Sequence, residues 1–403
     1  MISTRKIVTV DLDIVASGRT LGDFQTVIYI APLSLQNKNG ENVNQLLITG
    51  TDALGADTSR EGAITGDAVY IESIKNYFAN GGIKLLVANP TAYTLDGFKT
   101  FVRNAKNLAN DFIYTVIANG IVGSIGGFQI SDIQEIAEYC DRTVSPDKLR
   151  IILTTNSKTF ISDSGLEETY TIVKYTTKTV DASIIDAGLL IGAYFSKLNL
   201  DGSDTVKDYS YTREKLILPD GADYAEEDID DTDFENMIND ANGGGYYNFI
   251  GRVGNNRVNF GGNLASNKGN KSIAIHTDFG AIAIERDITY SVLEEMIGKQ
   301  YLTEQGISSI KSAINSQLQR YKTNGYLNVG AAYSGEDLTI GYNGVKYKVI
   351  NNGETIPQGF YVFSVPMQNI SPADREARKF TPIYVVLETQ SGARVVEITG
   401  EVR

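Results

Sequence analysis

Between residues 67 and 153 the chain repeats one unit: a helix-spaced apolar stripe, a break, then a short run of β-branched and aliphatic residues. Asp67 to Asn80 carries Val69, Tyr70, Ile74, Tyr77 and Phe78 at helical spacing. Gly81 and Gly82 close it, and Lys84 to Ala88 follows as a buried strand. A second cycle runs from a helix over Leu95 to Asn107 to a strand over Phe112 to Ala118. A third runs from a helix with Ser131 and Gln134 as its capping box, and Ile133, Ile136, Ala137 and Cys140 on its apolar face, to a strand from Arg150 to Leu153. Strands separated by helices cannot pair as hairpins. The repeat therefore dictates a mostly parallel sheet covered by helices.

Around this α/β unit the pattern changes. Thr26 to Ile30 reads as another strand of the sheet, and Asp220 to Gly269, acidic at first and then rich in Gly and Asn, reads as long loops. Strands are expected at Ser272 to Thr277 and Ala281 to Arg286, with helices at Tyr290 to Gln300 and Thr303 to Thr323. The second of these helices has one apolar stripe through Ile307, Ile310, Ile314, Leu318 and Tyr321. Asn343-Gly344 marks a type I′ hairpin whose register sets Tyr342 against Val345, Ile340 against Tyr347 and Leu338 against Val349. Phe360 to Met367 is a further strand, and Ser371-Pro372 starts a short charged helix.

At 403 residues the chain has room for more than one domain. The reading is α/β, α+β overall: residues 1–20 form a strand arm and hinge, 21–271 an outer α/β domain that is loop-rich over 220–269, 272–380 an inner α+β domain with a β-sheet and two helices, and 381–403 a C-terminal strand arm. Both ends alternate with period two. Val8, Val10, Leu12 and Ile14 share one face of the first segment; Ile383, Val385 and Leu387, then Val396 and Ile398, do so in the last two. A strand that is apolar on one face and has no local partner satisfies its backbone by adding to a sheet edge elsewhere.

Chemistry is hard to place on this chain. A net charge of -13 disfavours nucleic acid and anionic membranes as partners. No run approaches the ~20 apolar residues of a bilayer span. The single cysteine, Cys140, lies on a helix's apolar face, and the single histidine, His276, lies in an expected strand, so multi-His or multi-Cys zinc sites are excluded. Gly120 to Gly127 follows a strand and precedes a helix but lacks the G-x-G-x-x-G spacing; Gly262 to Ser272 lacks a Gly-Lys-Ser triplet. The acidic run Asp228, Asp230, Asp231, Asp233 lacks the glycine and closing glutamate of an EF-hand. No catalytic, cofactor or metal residues are assigned. A structural, self-assembling protein is the reading; a tube, terminator or baseplate component and a phosphate- or nucleotide-binding α/β enzyme using the Gly120 to Gly127 loop are the alternatives.

Three local patterns together resemble the sheath subunits of contractile phage-type tails, tailocins and contractile injection systems. They are Tyr77-Phe78-Ala79-Asn80-Gly81-Gly82 before Leu85-Leu86-Val87; the run from Glu285-Arg286-Asp287-Ile288-Thr289 through Tyr301-Leu302-Thr303-Glu304-Gln305-Gly306-Ile307 to Asn324-Gly325-Tyr326; and Ala373 to Arg378 with Pro382-Ile383 and Gly392-Ala393. The segment Ala193-Tyr194-Phe195-Ser196 with Asn199 adds to the likeness. The resemblance implies a subunit that polymerises helically around a tail tube through strands exchanged between copies, here Arg5 to Ile14 and Ile383 to Val402, and contracts without any cofactor. It implies the tube, baseplate and tail terminator proteins as partners, and a particle assembled in a bacterial host's cytoplasm. On the inner domain, Glu294, Glu295, Lys299, Lys311, Arg320 and Lys322 are the candidate tube contacts.

Overall fold

A computed structural model describes residues 24–57, 61–109, 111–142, 148–180, 184–198, 246–253, 256–265, 273–296 and 301–390, with isolated positions between 199 and 245. In chain order the first part comprises β1 (Thr26–Ile30), β2 (Ser34–Gln36), β3 (Asn42–Val43), β4 (Gln45–Ile48), β5 (Ala63–Thr65), α1 (Ala68–Ala79) and β6 (Lys84–Ala88). Then come α2 (Leu95–Ala105), β7 (Phe112–Ile117), α3 (Ile130–Arg142), β8 (Arg150–Thr155), α4 (Phe160–Asp163), β9 (Ile172–Tyr175) and α5 (Gly188–Ser196). Six of the strands form one sheet in the order β4-β6-β1-β7-β8-β9, parallel throughout except for β4 at its edge. β1 and β7 are buried at every position, which is why they read as unbroken apolar runs and not as alternations.

The helices start where local chemistry directs. Asp67 caps α1 by accepting from the Val69 N–H at 3.0 Å, and Thr94 caps α2 by accepting from the Gly97 N–H at 3.2 Å. α3 starts earlier than the Ser131/Gln134 box: the Gln129 N–H donates to Asp132 Oδ2 at 3.2 Å, so the reciprocal cap lies two residues upstream.

The remaining elements are β10 (Phe249–Val253), β11 (Asn256–Phe260), α6 (Ile275–Met296), α7 (Glu304–Thr323), β12 (Ala331–Ala332), β13 (Leu338–Tyr342), β14 (Val345–Ile350), β15 (Thr355–Ile356), β16 (Phe360–Ser364), α8 (Pro372–Glu376) and β17 (Ile383–Leu387). β10 and β11 form an antiparallel hairpin inside the region expected to be loops. The larger correction is α6. One helix of 22 residues replaces the two strands expected at Ser272 to Thr277 and Ala281 to Arg286, and His276 therefore sits in a helix. Fourteen of its residues are buried, so it shows no polar face, and its many isoleucines imitate strand composition. The Asn343-Gly344 turn is present, with φ of 49° and 76°. Its first two pairs are as expected, but a bulge sets Leu338 against Ile350 in place of Val349.

One contiguous core runs from the six-stranded sheet through Phe279, Ile282 and Ile288 of α6 to Ile310, Ile314 and Leu318 of α7 and Phe360 of β16. A smaller core of Ile340, Val349, Ile350, Ile356, Val365 and Val386 lies under the hairpins. Among the described residues no helix is long and apolar enough to cross a membrane.

Candidate assembly interface

The first turns of α6 gather both ends of the described chain. Phe24, just before β1, meets Phe279 edge-on at 5.6 Å, and the Arg286 guanidinium lies over the Phe24 ring at 3.5 Å. At the other end the Gln390 N–H donates to the Tyr326 carbonyl at 2.9 Å, and the Gln390 carbonyl lies 3.5 Å from His276 Nε2. Tyr326 is itself tied to α6, its hydroxyl donating to the Thr277 carbonyl at 2.8 Å. This contact explains Gly280: a Cβ there would lie 2.2 Å from the Tyr326 ring. Whatever precedes Phe24 and follows Gln390 starts from one small area.

Buried charges fix that area. Arg150 of β8 pairs with Asp278, and Lys148 with Glu285, so α6 is clamped to the amino ends of the sheet strands. Asp287 is 3% exposed and accepts from Arg320 Nη2 at 2.5 Å and from the Tyr321 hydroxyl at 2.6 Å. Burial, and then the charge of Asp287, push Tyr321 well above the usual phenol range. These groups were missed in the sequence because an Arg-Asp pair in an apolar run reads as a surface break. No periodic signal marks them, since α6 is buried on nearly all sides.

The C-terminal arm begins differently from expectation. Ile383, Val385 and Leu387 lie in β17, which pairs antiparallel with β16 of the same chain, Val362 opposite Val385. The first arm strand is thus part of the domain, because Phe360 and Val362 offer an adjacent apolar partner with only a short helical excursion between. β17 has one paired neighbour in its sheet, and four of its five residues are half-buried. Val8, Val10, Leu12, Ile14, Val396, Ile398, Lys299 and the acidic run from Asp228 to Asp233 lie outside the described residues.

The tube-contact candidates divide. Glu294 is exposed and Glu295 half-buried at the end of α6; Lys311 is half-buried on α7; Lys322 bonds the Gln358 side-chain oxygen. Arg320 does not belong with them, since its guanidinium is committed to Asp287 and joins α7 to α6. Past Glu304 in its first turn, the exposed positions of α7 are uncharged, among them Ser308, Ser312, Asn315, Ser316 and Gln319.

In parallel α/β sheets ligands bind beyond the carboxyl ends of the strands where strand order reverses, here beside β1 between β6 and β7. The chain fills that place itself. Asp186 accepts from the Tyr29 hydroxyl and, at 2.6 Å, from the Asn119 N–H, while its own N–H donates to Ser73 Oγ at 3.0 Å. The Tyr70 hydroxyl donates to the Asn119 carbonyl at 2.8 Å. Burial pushes the Asp186 carboxyl up to about 7. The Gly120 to Gly127 loop is closed too: the Gly123 N–H donates to the Phe128 carbonyl at 2.6 Å and the Gly127 N–H to the Ser124 carbonyl at 3.1 Å, so neither faces a phosphate. Cys140 is buried and its thiol is pushed up by that burial, away from nucleophile chemistry.

Residues 280–402 match the family model described as "E217 tail sheath protein gp31-like, C-terminal domain". No curated protein matches the sequence. Among solved structures, the anti-feeding prophage (AFP) helical sheath in the contracted state is similar over 96% of this chain and 94% of its own, with a TM-score of 0.60 and 12% identity. The PVC sheath complex of an extracellular contractile injection system, also contracted, covers 96% of each chain with a TM-score of 0.59 and 13% identity. A chain of the six-fold symmetrised AFP baseplate covers 95% of this chain and 94% of its own, with a TM-score of 0.61 and 10% identity. Residues 280–402 are thus similar to a tail-sheath C-terminal domain, and along its length the chain has the fold of the contractile-sheath proteins.

Proposed function

We propose that this chain is the subunit of a contractile sheath, polymerising helically around a tail tube through strands donated between copies and shortening to drive the tube through a target envelope. The observation that carries the strand-exchange reading is the convergence of Phe24 and Gln390 on the first turns of α6. Arms leaving one rigid point reach neighbours in different directions while each subunit moves as a body, which is what contraction without loss of connectivity needs. A strand added to the open edge of β17 gains backbone hydrogen bonds and covers Ile383 and Val385. On this reading residues 21–271 form the outer domain and residues 272–380, with β17, the assembly domain.

The partners on this reading are copies of the chain, the tube protein, the baseplate and the tail terminator, in a virion tail or tailocin particle assembled in the bacterial cytoplasm. The work is mechanical: a non-closing contact makes a helix, and the difference between two lattices supplies the drive. Electron microscopy of the purified chain tests it. Hollow helical tubes are expected; closed rings point to a terminator or baseplate role, and dispersed monomers overturn the reading.

A further inference from the structure

Among its described residues the α/β domain exposes four large apolar side chains, and they stand at its two ends. Ile125 lies beyond the carboxyl end of β7, on the loop that leads into α3, and Ile130 is the first residue of α3. Ile83 and Leu108 lie at the opposite end, Ile83 immediately before β6 and Leu108 between the end of α2 and β7, the two strands flanking β1. Single exposed isoleucines are unremarkable; two pairs at opposite poles of one sheet are not scattered.

The carboxyl-end pair is presented on a rigid mount. The Val122–Phe128 bridge, the two loop hydrogen bonds described above and the Gln129 Nε2 bond to the Ser124 carbonyl at 3.1 Å hold the loop shut, while Phe128 is fully buried edge-on to Tyr93 at 5.1 Å. At the tip Ile125 is fully exposed.

The poles also differ in charge. Helices antiparallel to the strands put Asp67, Asp96 and Asp132 of their first turns and caps at the carboxyl end, and Arg103, Lys106 and Lys197 of their last turns and caps at the amino end. α6 joins the amino end at β8 through Arg150 and Lys148 and at β1 through Phe24, and among the described residues Ile83, before β6, and Leu108, past the end of α2, remain exposed at that rim.

We propose that the α/β domains of neighbouring copies contact one another pole to pole, Ile125 and Ile130 of one copy against Ile83 and Leu108 of the next. The inference rests on the sheath reading and adds a second joint to it. Opposite patches on one chain make a heterologous contact that does not close, so it propagates along a helix as the exchanged arms do. The opposed rim charges set its direction. The contact is small, and it acts because the arms already hold the copies together at high effective concentration.

Two variants of the full-length chain test it. Ile125→Lys, at a side chain fully in solvent, should leave the thermal transition unchanged and, by placing a cation against the basic pole of the next copy, raise the critical concentration for tube formation at least about tenfold, or about 1.4 kcal/mol. Ile125→Cys with Leu108→Cys should give, on oxidation of assembled tubes, a ladder of covalent multimers that neither single variant gives. Ile125→Lys tubes of normal critical concentration, or no ladder from the double variant, overturn the contact and leave the sheath reading intact. A wild-type chain that forms no tubes overturns both.

Discussion

Arg150, the first residue of β8, and Asp278, in the first turn of α6, form a bidentate ion pair at 2.7 and 2.8 Å with side chains 5% and 8% exposed. The Tyr170 ring lies 4.6 Å from the same guanidinium. Removing one partner leaves the other charged and buried, so Asp278→Ala is expected to lower stability by about 3–5 kcal/mol. Replacing both, Arg150→Met with Asp278→Leu, should recover most of that loss. Urea unfolding of the three chains checks it, and equal losses for the single and double variants would reject the pair as the cause.

Asp186 makes stability depend on pH in the direction opposite to most carboxylates. Its folded value, raised by burial to about 7, exceeds the ~3.9 of an unfolded aspartate. The folded state therefore holds the proton more tightly, and the associated stability is complete below about pH 4 and lost as pH rises through about 7. The difference is of order 4 kcal/mol. Asp186→Asn keeps an acceptor for the Asn119 N–H and cannot ionise. Between pH 4 and 8 the wild type should lose stability relative to this variant; parallel denaturation curves at every pH would contradict the assignment.

The parallel sheet was legible because each of its cycles states its own start, face and stop. Asp67, the Tyr70–Ile74–Tyr77 stripe and Gly81 bound α1, and the Lys84 to Ala88 strand is recovered to the residue. The last turns of α6, from Tyr290, fall within the expected helix, but the part before Tyr290 was not legible, since a helix buried on nearly all sides has no polar period to betray it, and Ile273 to Ile275 and Ile282 to Ile284 alternate as a strand would. For the same reason Arg320 was taken for a surface charge. One helix shows which residues leave its apolar stripe, but the partner that buries them, here Asp287, is set by packing against another helix. The alternation at the C-terminus did identify β17, yet alternation fixes only that a strand needs a neighbour, and β16 turned out to be one in the same chain.

That distinction separates a lysine and an arginine that composition treats alike. Arg320→Glu places a carboxylate against buried Asp287 and Tyr321 and should cost about 3–5 kcal/mol. Lys311→Glu, on a half-buried site at the helix surface, should stay within about 0.5 kcal/mol. Thermal melts decide. If Arg320→Glu melts with the wild type, the Asp287 pair is not holding α7 to α6. If Lys311→Glu folds normally yet fails to assemble on tube, the tube-contact role of α7 is supported independently of stability.

The exchange of strands makes its own prediction, which the fold allows to be separated from stability. Residues 1–15 precede Phe24, whose ring packs against Phe279 and beneath Arg286. Deleting them leaves that anchor in place, so the truncated chain should unfold at nearly the wild-type midpoint while forming no tubes. Phe24→Ala should do the reverse in part: it removes a core aromatic and uncovers a buried guanidinium, and is expected to lower stability by about 3–5 kcal/mol. Mixing the truncated chain with wild type then distinguishes donor from acceptor. If the arm is donated to a neighbour, a truncated copy still accepts a wild-type strand, enters a growing tube and stops further growth from its own position, so tubes shorten in proportion to its share. Tubes of unchanged length, with the truncated chain incorporated throughout, would show that the first 15 residues join nothing.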